Sequence, residues 1–326
     1  QRAHGFYPSF LWKDGERLPL PGNTHADGGK TPEIYGPGAT EKRRGNRDGK
    51  VTYAPDAMLA ETLKFMEENR NRPMFILFST NLPHGPVDIP PAENKYAGHP
   101  AIRQAYAGAA GGNRECAGAA EEYASMVDKL DRQVGAILAQ VHKLGLEKRT
   151  IIVFSSDNGH ELYYRTDKER GRGLNCHGGV LDGTGELLDV FRGSRGLIGQ
   201  KNAMVNLAGL KWTNHEGGIR VPLIVSWPGT VPHGKVCRSL VANYDHMATF
   251  AELAGVGMPE GKDSVSYKNM LFGKPSSQRD YVVVDHTVIT GDGWKLTHKQ
   301  DKWLLFQISS DPEERHNLAE TRKDPL

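Results

Sequence analysis

Thr150-Ile151-Ile152-Val153-Phe154-Ser155-Ser156-Asp157-Asn158-Gly159 is the stretch on which the fold reading turns. Its first half is β-branched and aromatic and carries no charge, the pattern of a strand buried on both faces, as in a parallel sheet. It then breaks into small polar residues and a glycine. In open α/β sheets, ligands bind where the chain leaves the carboxyl ends of the strands. Asp157 and Asn158 stand at that place with oxygen donors suited to a hard cation, Ca²⁺ or Mg²⁺. Asp-Asn-Gly is also ordinary turn chemistry, so these residues alone leave both readings open.

Upstream, Tyr123, Met126, Val127, Leu130, Val134, Ile137, Leu138, Val141 and Leu144 repeat at helical spacing. They predict a helix over 121–144, with Gly145 at its carboxyl cap. A second amphipathic run predicts a helix from Ala54 to Asn69, stopped by Asn71-Arg72-Pro73. Met74-Phe75-Ile76-Leu77-Phe78 reads as another buried strand and runs into Leu82-Pro83-His84-Gly85-Pro86. Two helix-strand pairs of this kind predict parallel strands with their carboxyl ends on one side. His84 and Asp157 then share that side. Residues 1–50 and 87–118 are Gly- and Pro-rich with no sustained period and read as irregular chain.

Downstream, 161–210 is a polar, Gly-rich excursion at a strand end, where specificity loops sit. Leu223-Ile224-Val225-Ser226-Trp227, closed by Pro228-Gly229, is the next strand, and a helix follows around His246 to Ala254. From about Val265, short β-rich runs separated by Gly, Asp and Lys predict a small antiparallel sheet. The expected fold class is α/β: a doubly wound, mostly parallel sheet flanked by helices over 1–262, with a small antiparallel α+β subdomain over 263–326.

Composition excludes several classes. Forty-one Lys and Arg against 39 Asp and Glu leave a net charge of +2, so no basic field marks a nucleic-acid binder. No apolar run approaches the ~20 residues of a membrane-spanning helix. Cys116, Cys176 and Cys237 form no CxxC pair, which argues against a zinc site and against a disulfide framework.

Lys211 precedes Glu216-Gly217-Gly218-Ile219-Arg220-Val221-Pro222. Together with Ser156-Asp157-Asn158-Gly159, Pro83-His84-Gly85-Pro86, and Asp311-Pro312-Glu313-Glu314 with Asn317-Leu318-Ala319, this pattern resembles the type I, formylglycine-dependent sulfatases of the alkaline phosphatase superfamily. Tyr7-Pro8 and Leu18-Pro19-Leu20-Pro21-Gly22-Asn23 resemble the stretch that follows the catalytic third of many bacterial members. The resemblance implies that Asp157 and Asn158 are metal ligands for Ca²⁺ (or Mg²⁺). It implies that Lys211 contacts the sulfate, and that His84 contacts the ester oxygen and protonates the leaving alcohol. His160, next to the metal loop, is a further substrate-binding candidate. The implied activity is hydrolysis of a sulfate ester on a sulfated small molecule or glycan, in the periplasm or outside the cell.

The family's nucleophile is a formylglycine made from the Cys of Cys-x-Pro-x-Arg. This sequence contains neither that motif nor Ser-x-Pro-x-Arg. The expectation is a carboxyl-terminal portion whose formylglycine belongs to an upstream segment, and which is inactive without it. Two other readings stand beside it. One is a phosphodiester or phosphonate hydrolase of the same superfamily, for which Asp245-His246 would be the extra metal pair, though Asp there is also an ordinary helix cap. The other is a non-catalytic binder of sulfated glycans.

Overall fold

In this computed structural model, the described residues are 5–24, 49–85, 87–107, 114–159, 207–208, 211, 213–258, 260–274, 279–299 and 301–321. They fall into two compact units, one up to Leu146 and one from Glu147 onward.

The first unit opens with a hairpin that the sequence reading passed over, β1 (Phe10–Lys13) against β2 (Glu16–Pro19), with Trp12 opposite Arg17. Its two-residue turn, Asp14-Gly15, has φ of 52° and 86°, the left-handed pair that Asp-Gly supplies in tight hairpins. Residues 1–50 are therefore not wholly irregular. Nor are they only surface chain, because Phe6 is fully buried and stacks on Tyr53 at 5.6 Å. Helix α1 (Ala54–Glu68) starts with Pro55 in its first turn, where a missing N–H costs nothing. After α2 (Pro100–Ala107), α3 (Arg114–Lys143) is longer than its apolar period suggested. It closes at Gly145 (φ 66°), with the Leu146 N–H reaching back to the Val141 carbonyl, a left-handed glycine cap. Met126 of α3, Ile102 of α2, Ile89, Tyr53 and Phe6 form the core of this unit. Lys129 of α3, itself buried, ties Asp56 and Glu93 together at 2.7 and 2.6 Å.

Met74–Phe78 corrects an expectation. It lies in no strand, and Phe75 and Leu77 are 75% and 79% exposed. Apolar character alone does not make a strand; a ladder partner must supply the hydrogen bonds, and no ladder among the described residues includes this run.

In the second unit, β3 (Ile152–Ser155) pairs with β4 (Leu223–Ser226) in antiparallel register, Ser155 opposite Leu223 and Ile152 opposite Ser226. Every ladder among the described residues is antiparallel, so the parallel pairing expected around β3 is not represented there. β3 is half-buried at all four positions rather than fully buried. Its apolar run needs cover on both faces, which one neighbouring strand cannot give. Helix α4 (Glu216–Ile219) is a single turn just ahead of β4. α5 (Asp245–Ala254) ends at left-handed Gly255, and α6 (Lys268–Leu271) follows. The expected small sheet is present as the meander β5 (Tyr281–Val284), β6 (Thr287–Thr290), β7 (Trp294–Lys299) and β8 (Lys302–Gln307). No helix of the described residues is long and apolar enough to cross a membrane.

Candidate active site

The register of β3 on β4 decides the geometry. β4 runs opposite to β3, so its first residue sits beside the last residue of β3. The chain that enters β4, from Lys211 to Pro222, is thereby delivered to the end of β3 from which Asp157 and Asn158 emerge.

The turn after β3 holds itself in shape. The Ser156 hydroxyl donates to the Asn158 carbonyl, the Asn158 N–H donates to Asp157 Oδ1, and Asn158 Nδ2 donates to the Gly159 carbonyl, each at 2.9 Å. Asn243 Nδ2 donates to the Ser156 carbonyl at 3.2 Å. The turn reading and the ligand reading are thus compatible. With its amide nitrogen committed to Gly159, Asn158 presents its Oδ1 on the opposite side, and Asp157 is exposed. The donor chemistry, two consecutive oxygen-bearing side chains, suits a hard cation. Among the described residues, no group of three or more His, Cys, Asp and Glu gathers to hold one. Asp157 and Asn158 offer two side-chain oxygens, against the six to eight that Ca²⁺ takes.

Gly159 meets the glycine pair of the β4 loop backbone to backbone. Its N–H donates to the Gly218 carbonyl at 2.9 Å. A Cβ on Gly159 would lie 1.9 Å from the Gly217 carbonyl oxygen and 2.9 Å from Gly218 Cα. Only glycine allows this approach. The Gly217 N–H donates onward to the Ala208 carbonyl at 2.6 Å, and the Ala208 N–H to the Pro312 carbonyl at 3.2 Å. Lys211 is a half-buried turn residue between these anchors.

Beneath the loop lies a charge cluster that the sequence reading did not find. Lys295 of β7 is fully buried, and its Nζ lies 3.2 Å from Glu216 Oε1 and 2.8 Å from Glu314 Oε1. Glu314 also accepts the Glu216 N–H at 2.7 Å and pairs with His215 Nδ1 at 2.7 Å. Burial pushes the Glu314 carboxyl up, but the His215 hydrogen bond and the Lys295 charge outweigh it and hold it below its ordinary value. The closing motif was legible only as a resemblance. Lys295 gave no signal, because a lysine in an alternating strand normally faces water.

His84 belongs to the first unit. It follows the cis Leu82-Pro83 bond, its N–H donates to the Asn81 carbonyl at 2.8 Å, and its Nδ1 faces the Gly85 carbonyl oxygen. An imidazole that donates from Nδ1 to this carbonyl keeps Nε2 as its second ring nitrogen. Asn81 is buried and donates Nδ2 to the Gly5 carbonyl at 3.3 Å, pinning the start of this loop. His160 lies outside the described residues.

Asp245 and His246 are structural. Both Asp245 oxygens face Arg279, and they also accept the Ala242 and Val265 N–H groups at 2.8 and 2.9 Å. His246 Nδ1 meets the Tyr267 hydroxyl at 2.7 Å. A carboxylate so engaged has no capacity for a second metal, which counts against the phosphodiesterase reading.

Comparison with known proteins agrees on one family. The profile described as Sulfatase matches residues 19–256, and the one described as N-sulphoglucosamine sulphohydrolase, C-terminal, matches 211–324. N-acetylgalactosamine-6-O-sulfatase of Bacteroides thetaiotaomicron is 27% identical over 213 residues, 59% of this chain and 37% of that protein. Human steryl-sulfatase is 30% identical over 238 residues, 60% of this chain and 36% of that protein. The chain thus spans little more than a third of these curated relatives. Among solved structures, a protein in complex with its substrate D-glucosamine-2-N,6-O-disulfate superposes with a TM-score of 0.55 at 17% identity, covering 97% of this chain and 69% of that one. A sulfatase from Pseudoalteromonas sp. gives 0.54 at 18%, covering 81% and 48%. These structures share the α/β fold.

Proposed function

The chain belongs to the sulfatase family, within the alkaline phosphatase superfamily, and on that premise we propose that it carries the cation, sulfate and leaving-group contacts of a sulfuric ester hydrolase. Asp157 and Asn158 are the cation ligands, for Ca²⁺ ahead of Mg²⁺. A cation there would neutralise the non-bridging sulfate oxygens. Lys211 adds a point charge to the same anion. His84 gives its proton to the alcohol oxygen as the S–O bond breaks. His160 is a second substrate contact in this reading. The substrate class is a sulfate ester on a sugar or other small alcohol, the kinds that the relatives' names carry, met outside the cytoplasm. The nucleophile is assigned to no residue of this chain, which has no Cys-x-Pro-x-Arg. The 326-residue chain is accordingly expected not to turn over an aryl sulfate.

The observation that supports this most is the convergence of two loops distant in sequence. The β3–β4 register brings the Lys211 loop to the Asp157 turn, and the bond from the Gly159 N–H to the Gly218 carbonyl locks them together. Calorimetric titration with CaCl₂, then with sodium sulfate in saturating Ca²⁺, tests it. Asp157→Ala should abolish Ca²⁺ uptake, and Lys211→Ala should weaken sulfate while leaving Ca²⁺ in place. Undiminished Ca²⁺ binding by an Asp157→Ala/Asn158→Ala chain would refute the cation assignment, and release of 4-nitrophenol from 4-nitrophenyl sulfate by the chain alone would overturn the expected inactivity.

A further inference from the structure

The buried charges under the 211–222 loop are used by none of the steps above. Lys295 and Glu314 come from the C-terminal meander and the segment after it, yet their side chains bond to Glu216, to His215 and to each other. Glu314 reaches inward from a left-handed backbone (φ 51°), which a non-glycine residue adopts only when its surroundings hold it there. Asp311 does the holding. Its carbonyl accepts the Glu314 N–H at 3.0 Å, and its carboxylate accepts the Arg315 and His316 N–H groups at 3.1 and 2.9 Å. A second strut comes from the same sheet. Asn214 Nδ2 donates to the Val284 carbonyl at 3.4 Å and to Asp285 at 3.3 Å, at the β5–β6 turn.

Buried ion pairs of this kind seldom stabilise more than an apolar substitute would, so their value lies in fixing geometry. What they fix here is the α4 turn, whose Gly217 and Gly218 lie against Gly159. We infer that Glu314 and Lys295 are positioning residues that brace the α4 turn against Gly159 and so set where Asp157, Asn158 and Lys211 stand. The C-terminal meander is then the jig for the cation and sulfate site rather than an appendage. The consequence for the site rests on the cation-ligand reading of Asp157 and Asn158; the brace itself does not.

Amide hydrogen exchange separates a brace from general stability. In Glu314→Gln, the Gly159 amide is expected to exchange at least about 10-fold faster while the β3 amides of Ile152–Ser155 keep their rates, and the Ca²⁺ dissociation constant should rise about 10–100-fold, as for lost outer-shell support. Lys295→Arg, which keeps the charge, should retain both readouts. Equal acceleration at Gly159 and along β3, or no change at Gly159, would overturn the inference. Should Glu314→Gln fail to fold, His215→Gln removes one bond to Glu314 and leaves Lys295 paired; selective loss at Gly159 supports the brace and an unchanged Gly159 refutes it. If the wild-type chain takes up no Ca²⁺, the proposed function fails, while exchange at Gly159 still decides the brace.

Discussion

Replacing Gly159 by Ala puts one methyl group where two loops meet. The new Cβ would sit 1.9 Å from the Gly217 carbonyl oxygen, 2.7 Å from its carbonyl carbon and 2.9 Å from Gly218 Cα. All three are backbone atoms, so no side chain can swing aside, and the 156–159 turn or the α4 turn must move. Forced overpacking costs about 1–3 kcal/mol. The move also breaks the 2.9 Å bond from the Gly159 N–H to the Gly218 carbonyl, worth about 1 kcal/mol. The expected loss is therefore about 2–4 kcal/mol, measured as the change in urea unfolding free energy at constant m-value. Gly135 is the control. It lies exposed inside α3, and its added Cβ would meet nothing within 4 Å. Gly135→Ala should stabilise by about 0.5–1 kcal/mol through helix propensity. Ca²⁺ uptake should weaken in Gly159→Ala and stay unchanged in Gly135→Ala. A Gly159→Ala protein within about 0.5 kcal/mol of wild type, the usual range for inert surface changes, would show that the two loops do not touch as described.

Ca²⁺ at about 100 times its dissociation constant should stabilise the chain by about 2.7 kcal/mol, and a melting temperature that does not respond to Ca²⁺, or responds equally in Asp157→Ala, would contradict the ligand assignment. In any preparation that turns over sulfate esters, His84→Ala should lower kcat by about 10²–10⁴, more for alkyl than for aryl esters; equal losses on both would remove His84 from leaving-group protonation. Asp245→Ala leaves the half-buried Arg279 guanidinium without its buried partner and should cost about 1–3 kcal/mol in denaturant titration. Glu314 sets an acid limit. Its carboxyl is held lower in the folded chain than the ordinary value near 4.3, so the unfolded chain takes up its proton first as pH falls. Its contribution is complete above that ordinary value and is lost as pH drops through the lower folded value, so Glu314→Gln should flatten the acid limb of the stability–pH profile, and an unchanged limb would count against the pairing.

Much of the local structure was written in the chain. Helices 54–68 and 245–254, the glycine caps at Gly145 and Gly255, and strands Ile152–Ser155 and Leu223–Ser226 follow from apolar period and from left-handed glycines. The Asp14-Gly15 hairpin was equally legible and was passed over, because its strands are only four residues each and lie in a Gly- and Pro-rich stretch. Met74–Phe78 misled in the other direction. Its composition is that of a strand, but a strand also needs a partner, and composition does not name one.

The sequence by itself determined which residues could do the chemistry: an Asp-Asn pair after an apolar strand, a His between prolines, and a Lys ahead of Glu-Gly-Gly. Such choices depend on side-chain type and on neighbours a few residues away. The tertiary structure decided that β4 returns antiparallel to β3, that Gly159 touches Gly217 and Gly218, and that Lys295 is fully buried between two glutamates. Those facts join positions tens of residues apart. Ladder direction, backbone approach and the pairing of buried charge are set by packing across that distance, and no local preference encodes them.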